Sequence, residues 1–149
     1  MQNLHTITIA LSLTLLTACA ATPPGNNSIT EGRVSVTYGE RVLKNVERME
    51  VLKELNAAET LHEYVLRQVE RSKAFSEVRV EIVITSILIR MSHFNKNVSR
   101  MDCDIVIYDG AKEMVRFKSG VHTSKKGGTA VTKMSKAVAR EVYSRLKDG

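Results

Sequence analysis

The sequence predicts an α+β fold, a β-α-β-β-β-α sandwich with two helices packed on one face of a mostly antiparallel sheet. Three observations predict it. A short strand pattern precedes a helical pattern, three further strand patterns follow in succession, and the C-terminal segment repeats apolar side chains at helical spacing. The chain has 149 residues, enough for one such domain. We assign that domain to residues 33–149.

The first strand is predicted from the alternating apolar side chains of "RVSVTYG", residues 33–39. The following segment, residues 41–54, is ambiguous. Val42, Val46 and Met49 have helical spacing, whereas residues 46–52 are equally compatible with a strand. Both alternatives stay open at this point.

The first long helix is predicted to begin at Asn56. Glu59 follows three residues later, as in a capping box. Leu61, Val65 and Val69 then form an apolar stripe of helical period, which we expect to face the core. The helix should end near residues 72–74.

Three strands in succession are predicted next. In "EVRVEIVITSILIRM", residues 77–91, alternation gives way to apolar side chains on both faces. This change predicts a central strand, or a bulge near Thr85 and Ser86. In "RMDCDIVIYDG", residues 100–110, Met101, Cys103, Ile105 and Ile107 alternate with Arg100, Asp102 and Asp104. The segment ends in the hairpin dipeptide Asp109-Gly110. The third strand should cover about residues 114–121.

The last helix is predicted over about residues 129–146, with one apolar face and one basic face. The apolar face comprises Val131, Met134, Val138, Val142 and Leu146. The opposite face carries Lys133, Lys136, Arg140, Ser144 and Lys147.

The positive charge of the chain is concentrated at its C-terminal end. Residues 111–149 hold ten Lys or Arg against three acids, whereas the whole chain has a net charge of +6. An anionic partner is therefore a physical alternative to a merely solvated helix face. Its expected contacts are Lys125, Lys126, Lys133, Lys136, Arg140 and Lys147.

The N-terminus has the pattern of a targeting segment and not of a folded element. Residues 7–16 form an apolar run of ten residues, which is short for a transmembrane helix. We assign residues 1–18 to a signal peptide cleaved between Ala18 and Cys19. Residues 19–32 are then the lipidated N-terminus and a flexible tether, because this segment is rich in Pro, Gly, Asn, Ser and Thr.

Leu16-Thr17-Ala18-Cys19 resembles the bacterial lipobox. The resemblance implies that the Cys19 thiol carries a diacylglycerol and that the mature chain begins there, anchored in a membrane. Ala20 stands where an aspartate would imply retention in the inner membrane. We therefore expect an outer-membrane protein that faces the periplasm.

The order of elements over roughly residues 33–147 resembles that of a group of small envelope proteins. Two short segments, "RSKAFSEVRVEI" and the "YDG" hairpin, also resemble segments of these proteins. The group includes uncharacterised periplasmic lipoproteins, the N-terminal domain of the translocation protein TolB, curli-secretion lipoproteins and lipoprotein activators of peptidoglycan synthases. The resemblance implies a non-catalytic protein that docks into envelope assemblies. It transfers no binding residues to this chain.

Few residues are candidates for catalysis. Asp102 and Asp104 share one strand face, where we expect them to face solvent or to meet Arg and Lys across the sheet. His62, His93 and His122 are scattered over a helix, a loop and a strand end. Cys103 lies on an apolar strand face, which favours a small buried hydrophobe over a nucleophile. No motif of a metal site or a hydrolase occurs in the sequence.

We therefore expect a membrane-anchored, non-catalytic lipoprotein that acts as an accessory or docking subunit of a cell-envelope assembly. Its expected partners are the membrane, through Cys19, and an envelope protein. The alternative is a binding module for an anionic lipid or a cell-wall polymer, which would use the basic C-terminal face. No cofactor, metal or nucleic acid is expected.

Overall fold

The strands form one sheet whose spatial order, β1-β2-β3-β4-β5, follows the chain. A computed structural model describes residues 28–72, 77–92 and 98–148. Within these ranges, no helix combines the length and apolar composition needed to cross a bilayer. The strands are β1 Ser28–Glu31, β2 Val34–Tyr38, β3 Val78–Leu88, β4 Ser99–Asp109 and β5 Lys112–Thr123.

Helices cover one face of this sheet. They are α1 Glu40–Leu43, α2 Val46–Glu54, α3 Ala57–Arg71 and α4 Gly127–Asp148. The strand pair β2–β3 is parallel, because α1, α2 and α3 return the chain between the two strands. All other neighbouring strands are antiparallel. The predicted α+β class and mostly antiparallel sheet are confirmed.

The helical alternative holds for the ambiguous segment 41–54, which contains α1 and α2. Asn45 begins α2, and its side-chain oxygen accepts a hydrogen bond from the Arg48 backbone N–H at 2.9 Å. Val42, Met49 and Leu52 are buried. The segment therefore packs as a pair of short helices over one end of the sandwich.

Strand β1 lies within the segment predicted to be a flexible tether, so that prediction is too long at its C-terminal end. Ser28 pairs with Thr37 and Glu31 with Val34. Gly32 adopts a positive φ of 62° and so turns the chain from β1 into β2, a conformation that suits glycine. Ile29 is half-buried against the core, which gives this polar segment an apolar attachment.

Asn56 stands at the start of α3 as predicted, but the capping hydrogen bond of a capping box is absent. Its backbone is left-handed, with φ 48° and ψ 47°, and its side chain makes no cap hydrogen bond. The reason is that α2 ends at Glu54, so Asn56 also has to turn the chain within two residues. Asn tolerates this conformation better than most residues, and its N–H donates to the Lys53 carbonyl at 3.0 Å.

The bulge predicted near Thr85 and Ser86 is confirmed. The register between β3 and β4 shifts between Ile84 and Ser86, and the Thr85 hydroxyl donates to the Asp102 carbonyl at 3.1 Å. The shift keeps Ile87 in the core on the far side of the bulge, where it is 0% exposed.

The hydrophobic core lies between the sheet and helices α3 and α4. Both helices bury the apolar stripes predicted from their spacing. Sheet residues that point the other way form an open face, which no helix of the described ranges covers. They include charged side chains such as Arg79, Glu81 and Lys118. The sandwich therefore offers two broad surfaces, the outer side of the helices and the open face of the sheet.

Candidate functional site

Helix α4 separates its apolar and basic residues as the sequence predicts. Val131, Met134, Val138, Val142 and Leu146 are all buried, whereas the basic side chains of the opposite face are exposed. Because α4 packs against both α3 and β5, its exposed face stands between two grooves. We name Lys133, Lys136 and Arg140 the basic ridge.

The first groove lies between α3 and α4 and has a volume of about 290 Å³. The Lys136 ammonium lies 5.4 Å from the centre of the Tyr64 ring, and the Arg67 guanidinium lies 5.6 Å from the same ring. Such cation–π contacts orient both long side chains. The groove is lined by Tyr64, Arg67, Gln68, Arg71, Lys136, Ala139 and Arg140.

The second groove lies between α4 and strand β5 and has a volume of about 460 Å³. Its lining consists of His122, Thr123, Lys133, Lys136, Ala137 and Arg140. Lys136 and Arg140 therefore border both grooves, and no carboxylate of the described residues lines either groove.

The charges of the basic ridge are uncompensated within the described ranges. None of its three cations forms an ion pair there. Glu141 is adjacent in sequence, but its carboxylate accepts a hydrogen bond of 2.6 Å from the Ser119 hydroxyl, on the β5 side of the helix. Arg67, across the first groove, is paired with Glu63 at 3.4 Å. The ridge can therefore offer its hydrogen-bond donors to an anionic group from outside the domain.

The other predicted basic contacts do not join the ridge. Lys125 and Lys126 lie in the turn before α4, where the Lys125 carbonyl accepts a hydrogen bond from Ser99. Lys147 lies near the opposite end of α4, with its ammonium 4.8 Å from the Tyr143 ring. The 22-residue helix is about 33 Å long. The six residues therefore divide into three separate places and do not form one site.

Residues of α3 were missed as part of this surface. Tyr64 and Arg71 border the first groove, but the sequence pattern indicates only that they lie off the apolar stripe of the helix. Which helix lies beside them depends on tertiary packing. The helical spacing of Tyr64, Arg67 and Arg71 could have indicated this surface, because it places an aromatic ring and two cations on one face of the helix.

The two candidate carboxylates lie half-buried on the open face of the sheet, and among the described residues neither forms a cross-strand ion pair, one of the two predicted environments. Asp102 forms an ion pair of 2.9 Å with Arg100. Asp104 stands directly opposite Lys118 in the β4–β5 register. Both carboxylates therefore belong to the charged surface of the open sheet face.

The histidines serve different purposes. His62 is 4% exposed, and its Nε2 lies 3.1 Å from the Glu31 carbonyl oxygen, so it joins α3 to strand β1. His122 is exposed near the end of β5 and borders the second groove.

His93 lies outside the described residues, as do Ala18 and Cys19. Among the residues that the structure describes, no three His, Cys, Asp or Glu side chains are grouped to hold a metal ion.

Cys103 is a buried side chain, as its strand pattern predicts. It is 1% exposed on the core face of β4, beneath α4. Burial raises the pKa of its thiol to about 12, and the nearby carboxylates of Asp102, Asp104 and Glu141 act in the same direction. A thiol with this pKa holds almost no thiolate, the reactive form, at neutral pH.

We therefore predict that Cys103 resists thiol-specific reagents in the folded protein. Under native conditions at neutral pH, maleimide should leave Cys103 unmodified, and unfolding in denaturant should make it react fully. The variant Ser144→Cys, which adds an exposed thiol on α4, is the positive control. Mass spectrometry counts the adducts, and rapid labelling of native Cys103 would contradict the burial.

Known proteins show little similarity to this chain. No known family model matches the chain, and no curated protein matches its sequence. Among solved structures, it is similar to the crystal structure of a "putative lipoprotein from Caulobacter crescentus CB15". The two share 9% sequence identity with a TM-score of 0.43, and the match covers 78% of this chain and 91% of the other. A likeness of this extent carries no argument about function.

Proposed function

We propose that this chain is a non-catalytic lipoprotein of the bacterial cell envelope that docks an acidic partner protein through its basic ridge. It would act as an accessory subunit of an envelope assembly, anchored through Cys19 in the outer membrane and facing the periplasm. The observation that carries the proposal is the position of Lys136 and Arg140 between two grooves that, in the described part of the chain, are lined without carboxylates.

The shape of this surface favours a protein partner. A ridge with a groove on each side offers raised and recessed features, and a folded partner can match both. The Tyr64 ring in the first groove adds an aromatic contact, and aromatic side chains are frequent in interface cores. Unpaired cations on the ridge would steer an acidic partner into place.

The anchor sets where such docking takes place. Cys19 precedes Ser28, the first residue of β1, by nine residues. A chain of that length spans at most about 30 Å when fully extended. The domain would therefore stay close to the bilayer and meet partners within the envelope.

The test is site-specific photo-crosslinking in living cells from position 136, with position 118 on the open sheet face as the control site. We expect a single envelope protein to be captured from position 136 and not from position 118. Equal capture from both positions, or capture of lipid or wall polymer, would contradict docking through the ridge.

Charge reversal on the ridge should then weaken binding of the captured protein. We expect Lys136→Glu and Arg140→Glu each to lower its affinity about tenfold, which corresponds to about 1.4 kcal/mol. Lys147→Glu makes the same change farther along the same helix and should have little effect. Titration calorimetry of the purified pair measures the difference, and equal effects of all three changes would contradict a localised site.

A second candidate function uses the same ridge. An anionic lipid or cell-wall polymer also fits a row of exposed cations, and it would not need the grooves. Salt separates the two functions. Binding of a polymer to exposed cations should weaken steeply between low and physiological ionic strength, because those charges are screened. Binding of an acidic protein should also weaken with salt but less steeply, because contacts in the grooves, such as those with Tyr64, are not screened.

A further inference from the structure

Most of the strongly exposed large apolar side chains in the described residues lie at one end of the sandwich. Val46 is 70% exposed and Met91 is 53% exposed. Only Val83, on the open sheet face, lies elsewhere among those described. The group at this end comprises Leu43, Val46, Leu88, Met91 and Val98. We name it the apolar end.

The topology brings these residues together from separate parts of the chain. Strand β3 ends at Leu88, Val98 precedes β4, and α1 and α2 follow the C-terminal end of β2, which is parallel to β3. Leu88 and Met91 also line a shallow hollow of about 290 Å³ together with Val51 of α2. The exposed side chains therefore belong to one end of the domain and are not scattered singly over its surface.

Ser28, the first residue that the structure describes, lies at this same end. Strand β1 is antiparallel to β2, and Ser28 pairs with Thr37 near the C-terminal end of β2. Ser28 therefore lies at the apolar end, and Cys19 precedes it by only nine residues in the sequence. A lipid on Cys19 would therefore hold the apolar end toward the bilayer and leave the opposite end of the sandwich facing away from it.

Charge at the apolar end is compatible with a phospholipid surface. Residues 40–54 carry four acids and four bases, which cancel. Glu40 is neutralised locally by Lys44 at 2.9 Å, whereas Glu47 and Arg48 border the hollow. The turn before α4 adds Lys125 and Lys126, and it lies at this end because the Gly127 N–H donates to the Arg90 carbonyl at 2.9 Å.

We propose that the apolar end is a membrane-contact surface that rests on the phospholipid headgroups around the anchor. The inference rests on the proposed anchoring through Cys19. Val46 and Met91 would enter the boundary between headgroups and acyl chains, where exposed apolar side chains are stabilised. Lys125 and Lys126 would lie against anionic headgroups. The basic ridge, farther along α4, would remain accessible from the periplasm.

The test places an environment-sensitive fluorophore on single new cysteines of the lipidated protein. Val46→Cys and Met91→Cys report on the apolar end, and Ala111→Cys, in the exposed β4–β5 turn, reports on the opposite end. Cys103 is buried and Cys19 would carry the lipid, so the new thiol is the one expected to react. The membranes are vesicles of phosphatidylethanolamine with a minor share of phosphatidylglycerol, with or without spin-labelled lipid.

We expect spin-labelled lipid to quench the fluorophores at positions 46 and 91 at least about fivefold more than the fluorophore at position 111, in line with burial in the interface. Equal quenching at the two ends would overturn the membrane-contact surface. Shielding of positions 46 and 91 without quenching would also overturn it, because a protein would then cover the apolar end.

Flotation of the same vesicles separates this inference from the anchor. Protein that floats with the vesicles but shows equal quenching at both ends retains the anchor and loses the contact surface. Protein that does not float and lacks a lipid by mass spectrometry contradicts the anchoring through Cys19, and the contact surface falls with it.

Discussion

The Cys19→Ser variant is expected to remain an uncleaved, unlipidated precursor. Serine lacks the thiol that would accept the diacylglycerol, and processing of lipobox proteins follows that modification. The precursor should be heavier than the mature wild-type chain by residues 1–18 and lighter by the lost lipid. Each buried methylene of an acyl chain contributes about 0.8 kcal/mol to membrane attachment, so the precursor loses the acyl anchor and keeps only the apolar run of residues 7–16.

Mass spectrometry of the N-terminal peptide and membrane fractionation measure this effect. The matched control is Cys103→Ser, which removes the other cysteine of the chain and should leave processing unchanged. If Cys19→Ser and wild type have the same mature N-terminus and fractionate alike, the lipoprotein proposal is wrong. Any apolar contact made by Val46 and Met91 is too small to replace an acyl anchor.

The fold was predictable mainly where side-chain periodicity is strong. In α4 the stripe from Val131 to Leu146 repeats closely enough to fix both its helical state and its buried face. The bulge near Thr85 was also predictable, because the apolar pattern changes phase there. In each case the local pattern and the tertiary structure favour the same conformation.

Strand β1 shows why part of the fold was not predictable. Four residues with one large apolar side chain, Ile29, give no periodicity to recognise. The strand forms because the edge of β2 is available and because His62 reaches the Glu31 carbonyl. Both contributions come from residues distant in sequence, so the local composition indicates a tether.

The positive charge of the candidate site was predictable from the sequence, but the grooves that give the site its shape were not. Lys133, Lys136 and Arg140 were identified from helical spacing, because residues three and four apart share a face. The grooves on either side depend on which elements flank α4, and spacing within one helix carries no information on that. The same holds for the apolar end, since Val46 and Met91 meet only through the topology of the sheet.

The Ile105→Ala variant is expected to lower the free energy of unfolding by about 2–5 kcal/mol. Ile105 is 0% exposed on β4, between Ile82 of β3 and Phe117 of β5 in the sheet register. Truncation removes buried methyl groups from the middle of the sheet, where β-strand pairing on both sides prevents the backbone from closing the cavity. A loss of that size is a large fraction of the 5–15 kcal/mol that typically stabilises a domain.

The matched control is Val83→Ala, which shortens a side chain on the open face of the neighbouring strand. Val83 is 36% exposed, so less apolar surface returns to water and little cavity forms. We expect it to cost less than about 1.5 kcal/mol, with the remainder set by the lower strand propensity of alanine. Unfolding in urea, monitored by circular dichroism, gives both values. Equal costs at the two positions would mean that the core does not lie between the sheet and α4, because the two faces of the sheet would then be energetically equivalent.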